Sequence, residues 1–174
     1  IRALYSAHTT SWSLHPLLME NVSSLHEQRF RSLFHGNEFF FRDHKVFGTR
    51  VFPGIASLEM LRAAGSLAGE TPVMTMENVL WMNPVVINGN SCELFTGVYP
   101  GPKGTEVEVY SRKGDAFVTH TKGFVHFTES GEDIKRSIDL DEIQSRCTEL
   151  LDGSDCYDLF DMIGLSYGPN FRGI

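Results

Sequence analysis

The segment GIASLEMLRAAGSLAG, residues 54–69, constrains the fold more than any other part of the sequence. Ile55, Leu58, Leu61 and Ala64 or Gly65 recur at intervals of three and four residues, a spacing that predicts a helix. Small side chains stand on several sides of this helix, and it closes at a glycine, which is a common helix end. We therefore expect a helix that other elements approach closely, and such a helix must be buried against a layer of further structure.

Strand signals dominate the sequence after this helix. Residues 73–87 are rich in strand-forming side chains and are broken at Pro84, and residues 92–99 end in the turn PGPKG. Residues 105–112 alternate apolar and polar side chains, and after the turn KGD the chain returns as a strand over 116–129. We therefore predict a four- or five-stranded antiparallel sheet wrapped around one helix, which is an α+β layer.

Other elements are predicted from weaker patterns. The first forty residues are expected to be irregular until a strand over 38–47 runs up to Gly48. Helices are predicted over 139–152, with acidic residues in its first turn, and over 154–164, which ends at a glycine. The predicted strands of the sheet, over 73–129, thus lie in the sequence between the helix over 54–69 and the two later helices.

Length and charge limit the functions that the chain can carry. Its 174 residues suit one domain with a sizeable core, and the formal charge of −7 argues against nucleic-acid binding. No apolar run reaches the ~18 residues that a membrane span needs, and no signal peptide is visible, so we expect a cytoplasmic protein. Because the chain begins with isoleucine rather than methionine, we expect it to be a segment of a longer polypeptide.

The cysteines and most of the histidines indicate neither a disulfide framework nor a metal site. The three cysteines lack the CxxC spacing of a zinc knuckle, and no histidines have HxxH or HExxH spacing. His120 and His126 lie six residues apart on one predicted strand, hence on one face, where we expect them to meet solvent or an interface. No metal site is therefore predicted.

The segment DHKVFGTRVFPG, residues 43–54, contains the strongest candidate for a catalytic group. His44 has an imidazole, which exchanges a proton near neutral pH, and its apolar neighbours would favour the neutral ring. Gly48 permits unusual backbone or close approach of a ligand, and Pro53-Gly54 opens a helix with unpaired N–H groups. A base beside such donors suits removal of a proton next to a carbonyl, whose oxygen the donors would hold. A structural histidine at a strand end, without chemistry, fits the same spacing.

Four stretches of the sequence together match one set of motifs. HKVFGTRVFP has the form HxxxGxxxxP, with His44, Gly48 and Pro53 in register, and it is flanked by LHPLL at 14–18 and PGIASLEMLRAA at 53–64. GLSYGPNFRGI at the end of the chain contains YGPxFxG at Tyr167, Gly168, Pro169, Phe171 and Gly173. In content and in order these motifs resemble those of polyketide synthase dehydratase domains.

The resemblance implies a hot-dog fold, in which a long central helix is wrapped by an antiparallel sheet. Two such units normally stand side by side in one dehydratase, so this chain would be the first half of a double hot dog. On this basis we predict one dehydratase-like domain over 1–174, with the N-terminal hot dog at about 1–130 and a connecting segment over 131–174.

The resemblance also implies an activity. Members of this family remove water from a 3-hydroxyacyl thioester on the phosphopantetheine arm of an acyl carrier protein, which leaves an α,β-unsaturated thioester. By this resemblance His44 would be the base, the Gly48 N–H would hold the thioester carbonyl, and Tyr167 would line or close the tunnel. The substrate-binding positions that the motifs imply are Gly48, Pro53, Tyr167, Gly168 and Pro169.

The resemblance implies no metal and no dissociable cofactor, because the substrate is carried on the arm of the carrier protein. The expected partners are the acyl carrier protein, the other domains of the parent synthase and a second copy of the chain in a homodimer. Neither nucleic acid nor membrane is expected.

No residue of this sequence matches the catalytic acid of the family, since the family's aspartate lies beyond the YGPxFxG signature. Asp43 adjoins His44, but consecutive strand residues point to opposite faces, so we reject it as the acid. Asp115, Asp152 and Asp155 fall in turns or at helix starts, where capping is expected. Two alternatives stay open. One is an enoyl isomerase that shifts a double bond without the aspartate, and the other is a non-catalytic hot-dog unit that serves as scaffold or dimer contact.

Overall fold

Nine strands and four helices form the described part of the chain, which is residues 14–87, 89, 91–127 and 137–174 of this computed structural model. The strands are β1 Glu20–Asn21, β2 Gln28–Phe34, β3 His44–Val46, β4 Thr49–Arg50, β5 Thr75–Trp81, β6 Cys92–Gly101, β7 Gly104–Lys113, β8 Ala116–His126 and β9 Leu165–Tyr167. The helices are α1 Phe39–Arg42, α2 Gly54–Gly69, α3 Leu140–Arg146 and α4 Gly153–Met162, and a 3-10 turn covers Pro169–Phe171.

A six-stranded antiparallel sheet in the order β1-β2-β6-β7-β8-β5 packs against α2. The helix contacts the adjacent strands β6, β7 and β8. Met60, Leu61 and Ala64 of the helix are completely buried, as are Val107 and Val109 of β7. The buried helix and its antiparallel sheet confirm the predicted α+β class and have the layout of a hot-dog fold.

The predicted bounds of the helix over 54–69 are confirmed, and Leu61 and Ala64 are buried as the spacing indicated, but Ile55 at the start of the helix is not. Ile55 is 68% exposed, whereas Met60 is completely buried. A repeat of three residues drifts by about 60° per step around a helix with 3.6 residues per turn, so Ile55 lies opposite Ala64. The closest approach of the helix to its neighbours is made at its small residues. A Cβ added at Gly65 would lie 2.8 Å from Val73.

The first forty residues contain a strand, so the prediction that they are irregular is wrong. β2 pairs with β6 along its whole length, which makes the sheet larger than the four or five strands predicted. Its buried side chains alternate as Phe30, Ser32 and Phe34. A serine at a core position hides this alternation in the sequence. The serine is tolerated there because its hydroxyl donates to Leu17 O at 2.6 Å.

The predicted strand over 38–47 is wrong in its first half. Residues 39–42 form α1, and β3 begins only at His44. Three consecutive phenylalanines cannot alternate between a core face and a solvent face, and the helical turn places Phe41 in the core. There its ring packs against Phe34 and Phe52, with centroids 6.0 and 5.4 Å away. This aromatic cluster holds the start of β3 against the core.

A second, three-stranded sheet joins the DHKVFG segment to the end of the chain. Its order is β4-β3-β9, and His44 stands opposite Tyr167 in the ladder. The tight turn between β3 and β4 has positive φ at Phe47 (48°) and Gly48 (75°). Glycine adopts this conformation without strain, so the turn gives Gly48 a backbone role. Two motifs that are far apart in the sequence thereby become neighbours.

Asp43 fastens the start of β3 to the turn after β9. Its backbone oxygen accepts from Gly168 N–H at 2.8 Å, and its buried carboxylate accepts from the Asn170 side-chain amide. A Cβ added at Gly168 would lie 2.5 Å from Asp43 Cγ. Only glycine therefore fits at this position without displacing the carboxylate.

The remaining helices differ in length from their predictions. α3 ends at Arg146 rather than near residue 152, while α4 follows the prediction over 154–164 closely and buries Tyr157. Within the described ranges no helix is both long and apolar enough to cross a membrane. The boundary between 130 and 131 lies outside the described residues, so the division of the domain stays a prediction.

We expect Gly168→Ala to loosen the link between β3 and β9, because the new methyl group would overlap the Asp43 carboxylate. Overpacking of this kind costs about 1–3 kcal/mol, which should lower the melting temperature in thermal unfolding. Gly173→Ala is the matched control, since a Cβ added there meets nothing within 4 Å. Equal melting temperatures for the two variants would contradict the packing described for Gly168.

Candidate active site

His44 lies half-buried at the start of β3, beside two aromatic rings of the last segment of the chain. Its ring centroid is 5.6 Å from that of Tyr167 and 5.4 Å from that of Phe171. The structure thus brings together the HxxxG and YGPxF segments.

A hydrogen bond fixes the proton on the His44 ring. Nδ1 lies 2.8 Å from the backbone oxygen of Val51. A carbonyl oxygen can only accept, so Nδ1 carries the proton of the neutral ring and Nε2 keeps an unshared lone pair. The backbone oxygen of His44 also accepts from Val51 N–H at 3.3 Å, so the two residues hold each other. Any base function of this residue therefore falls to Nε2.

His44 lines a pocket of about 330 Å³ at the start of α2. Phe52 and Val85 give it apolar walls, whereas Ser57 and Thr121 add hydroxyl groups. Ligand pockets in proteins begin at about this volume, so the space suits a small molecule or one section of a longer chain.

The first turn of α2 begins at the edge of this pocket, where Gly54 is one of the lining residues. The N–H groups of Ala56 and Ser57 donate to Pro53 O at 3.0 and 3.4 Å. Among the residues that the structure describes, none accepts from the N–H groups of Gly54 and Ile55. Helix N-terminal N–H groups carry partial positive charge, and Gly54 lines the pocket with His44. A base and a donor suited to a negative oxygen therefore share one pocket.

A small hydrogen-bond network fixes the start of α2 to the sheet. Ser57 Oγ donates to Gly54 O at 2.7 Å and accepts from Thr121 Oγ1 at 3.0 Å. The indole Nε1 of Trp81 reaches the same hydroxyl at 3.2 Å. These bonds connect the helix to β8 and β5, so the donors at its first turn have a fixed position.

His120 lines the same pocket as His44, so the prediction that it meets solvent or an interface is wrong. It is only 7% exposed, and burial lowers the pKa of its ring. The ladder between β7 and β8 shifts register at this point, because Val109 pairs with Thr121 and Tyr110 with Thr119. His120 is the extra residue of this bulge, so counting alternate residues along the strand fails there. The sequence contains no visible signal for the bulge.

Gly48 and Pro53 occupy different places relative to this pocket. Gly48 lies in the exposed turn between β3 and β4 and is not among the pocket's lining residues. Pro53 precedes α2 and lines a second pocket of about 390 Å³, together with Ile55 and the Pro16 of the LHPLL motif. The roles predicted for Gly48 and Pro53 in substrate binding stay predictions.

The YGP residues lie around the link between β9 and β3. Tyr167 stands opposite His44, and Gly168 packs against Asp43. Pro169 is exposed and begins the 3-10 turn that brings Phe171 to the second pocket. Tyr167 is the one of these residues placed beside the ring of His44, and the substrate-binding roles of all three stay predictions.

No carboxylate lines the His44 pocket within the described part of the chain. Asp43 bonds instead to Asn170 and to Arg42 Nε, and the Asn170 hydrogen bond is the main cause that holds the pKa of Asp43 below its usual value. An ionised Asp43 has no proton to give, which agrees with its rejection as the acid, although it ends α1 and is not a strand residue. The other three aspartates considered as the acid lie in a turn or at a helix start, as predicted, and they are Asp115, Asp152 and Asp155. Asp152 stands at the N-cap of α4, but its side chain makes no capping hydrogen bond.

The described residues also contain no group of three or more histidine, cysteine, aspartate or glutamate side chains placed to hold a metal ion. What the His44 pocket offers is one imidazole lone pair, backbone donors and hydroxyl groups. This set can move a proton and bind a carbonyl oxygen.

Comparison with known proteins points to one family. The model of the polyketide synthase dehydratase domain matches residues 15–112, and that of the polyketide synthase dehydratase N-terminal domain matches residues 136–174. Polyketide synthase PksM of Bacillus subtilis is 36% identical over 176 residues, which cover 95% of this chain and 4% of PksM. Polyketide synthase ThaG of Burkholderia thailandensis is 31% identical over 92% of this chain and 3% of ThaG. The chain thus spans a small fraction of the length of these synthases.

Solved structures similar to this chain include dehydratase domains of polyketide synthases. The trans-AT PKS dehydratase domain from Brevibacillus brevis has a TM-score of 0.83 and 39% identity, over 92% of this chain and 59% of that one. The dehydratase domain from the CurF module of curacin polyketide synthase has a TM-score of 0.81 and 25% identity, over 92% and 60%. A pyran synthase domain from module nine of the sorangicin pathway has a TM-score of 0.73 and 28% identity, over 88% and 54%.

These matches confirm the hot-dog fold. The family match covers the segment that holds His44, the start of α2 and most of the sheet. The chain therefore belongs to the family of polyketide synthase dehydratase domains.

Proposed function

We propose that this chain supplies the base and the carbonyl donor of a dehydratase site in a polyketide synthase. The site would remove water from a 3-hydroxyacyl thioester on an acyl carrier protein and leave an α,β-unsaturated thioester. One observation carries the proposal. Nδ1 of His44 donates to Val51 O, which leaves the lone pair of the neutral ring on Nε2, and His44 lines a pocket with Gly54, whose N–H has no acceptor among the described residues.

In the first step, Nε2 of His44 takes the proton from the carbon next to the thioester carbonyl. The C–H electron pair moves toward the carbonyl and forms an enolate, whose oxygen accepts from the Gly54 N–H. The carbon–oxygen bond of the β-hydroxyl then breaks while that hydroxyl takes a proton from an acid, so that water leaves and the double bond forms. Return of the proton on Nε2 to the acid, directly or through solvent, restores both groups.

In this proposal the N–H that donates to the thioester carbonyl belongs to Gly54, whereas the family resemblance assigned this role to Gly48. Gly54 lines the His44 pocket and belongs to the positive end of a helix, whereas Gly48 lies in an exposed turn.

The acid of the reaction would come from outside this pocket lining. This chain covers 59% of the Brevibacillus brevis dehydratase domain, so a complete domain of that kind has further residues that can face the pocket. We place the acid there, on an aspartate of a second hot dog.

An enoyl isomerase would use the same base and the same donor without that acid. The matched pyran synthase domain has this fold and is named for another reaction, so the fold by itself does not fix the chemistry. A scaffold unit would need neither an oriented imidazole nor an open pocket beside it. The geometry of His44 thus favours an enzyme, and the acid decides between dehydratase and isomerase.

The site as proposed works without a metal or dissociable cofactor, because proton transfer and carbonyl binding are within reach of its own residues. The substrate would arrive on the phosphopantetheine arm of an acyl carrier protein. The matched relatives are large polyketide synthases, which supports other synthase domains as neighbours. A homodimer is proposed on the family resemblance.

We expect His44→Ala to abolish water loss from a 3-hydroxyacyl carrier protein, since a general base contributes about 10²- to 10⁴-fold to rate. Mass spectrometry of the carrier protein, incubated with the complete domain, detects the loss of water directly. The matched control is His35→Ala, which removes an exposed histidine that lines neither pocket.

Three results of this experiment are distinct. Water loss by the parent and by His35→Ala, but not by His44→Ala, supports the dehydratase. A shifted double bond in an enoyl substrate, without water loss from the hydroxyacyl substrate, supports the isomerase. Equal turnover by His44→Ala and the parent would remove His44 from the chemistry.

The donor role of Gly54 is testable with two substitutions at one position. Gly54→Pro removes the N–H, yet proline suits the first position of a helix. Gly54→Ala adds a similar Cβ, 2.9 Å from Trp81 Nε1, but keeps the N–H. We expect kcat of the proline variant to be about 10²- to 10³-fold below that of the alanine variant, the usual loss for one such donor. Equal kcat values would assign the carbonyl to another donor.

A further inference from the structure

The segment after β5, residues 82–87, contributes its first four residues to one wall of the His44 pocket, and we call it the wall segment. Its first residues are attached to β8 at a single place. Met82 N–H donates to the backbone oxygen of His120 at 2.8 Å, and the side-chain amide of Asn83 donates to Thr119 O at 2.8 Å. The N–H of Asn83 also donates to His120 O, at 3.4 Å. The ring of His120 adds a fourth bond, from Nδ1 to the backbone oxygen of Asn83 at 3.1 Å.

The far end of the wall segment is joined to the residues that follow β4, one of which holds the ring of His44. Phe52 N–H donates to Val85 O at 2.9 Å. Val51, the residue before Phe52, bridges to the wall segment and supplies the oxygen that accepts from His44 Nδ1. A path of hydrogen bonds and backbone therefore runs from the ring of His120 through the wall segment to the ring of His44.

The partners of His120 fix its proton. Asn83 O can only accept, so Nδ1 carries the proton, and Nε2 accepts from Ser111 Oγ at 2.8 Å. Burial lowers the pKa of this ring, which keeps it neutral at physiological pH. Both nitrogens of His120 are thus occupied by the protein, although the residue lines the pocket.

We propose that His120 is a positioning residue for His44. Its Nδ1–H bond fixes the wall segment, and the wall segment fixes the Val51 carbonyl that keeps His44 in the Nδ1–H form. Without this bond the carbonyl shifts, and His44 also populates the Nε2–H form, which has no lone pair at the atom that acts as base. The inference rests on the proposed function only in taking His44 as the base.

The test compares variants of His120 in the complete dehydratase domain that contains this chain. His120→Leu removes the Nδ1 donor, whereas His120→Asn places an amide N–H close to the position of Nδ1 and restores the bond to Asn83 O. His126→Leu is the matched control, because it makes the same change on the same strand outside the His44 pocket. Thermal unfolding identifies variants that fail to fold. If His120→Leu fails to fold, His120→Gln replaces it, because its amide is directed toward Ser111.

The first readout is the tautomer of His44, measured by ¹⁵N NMR of histidine-labelled protein. We expect the Nδ1–H signature of His44 in the parent, in His126→Leu and in His120→Asn. In His120→Leu this signature should weaken and that of the Nε2–H form should appear. The measurement needs no turnover, so it is informative even if the parent domain does not release water.

The second readout is steady-state kinetics on the carrier-bound substrate. We expect kcat of His120→Leu to fall about tenfold or more with little change in KM, since a misplacement of ~1 Å can cost on the order of 10²-fold. His120→Asn should recover most of this loss. An unchanged His44 tautomer in His120→Leu would overturn the proposal. So would equal losses of kcat in His120→Leu and His120→Asn, which would indicate direct contact of His120 with substrate.

Discussion

The burial of α2 against the sheet is the constraint on which the candidate site depends. Gly65 lets the helix approach Val73 and Val125 at distances that a larger side chain would forbid, and Met60 and Leu61 fill the core beside it. A helix held in this way has a fixed first turn, whose first N–H groups have no partner within the helix itself. The packing that stabilises the fold therefore also brings the first residue of the helix, Gly54, into the pocket that His44 lines.

The imidazole of His44 is held by backbone from separate parts of the chain. The Val51 carbonyl, just after β4, accepts from the His44 ring, and Tyr167 of β9 lies beside that ring. The wall segment is hydrogen-bonded next to Val51 and supports its carbonyl. Each hydrogen bond contributes only about 1 kcal/mol to stability. Their joint effect is geometric, because together they leave the ring one tautomer and one position.

In the proposed reaction, the base and the carbonyl donor come from one segment of the chain, and the acid comes from elsewhere. The base and its carbonyl donor both belong to residues 43–54, so one short stretch that joins β3 to α2 carries the first step. The Asp43 carboxylate within that stretch serves structure instead, since Asn170 and Arg42 hold it away from the reaction in its ionised form. The acid of the proposed reaction must therefore be a separate group.

Local patterns were enough to predict the long helix, most strands of the sheet and the candidate base, because periodicity and a short motif can be read from neighbouring residues. They misplaced residues 38–47 and missed β2, because three successive phenylalanines and a buried serine disguise the alternation on which strand prediction relies. Only the tertiary structure decided the tautomer of His44 and the burial of His120. Both depend on hydrogen bonds between residues distant in the sequence and on a bulge in β8, and no local pattern encodes these.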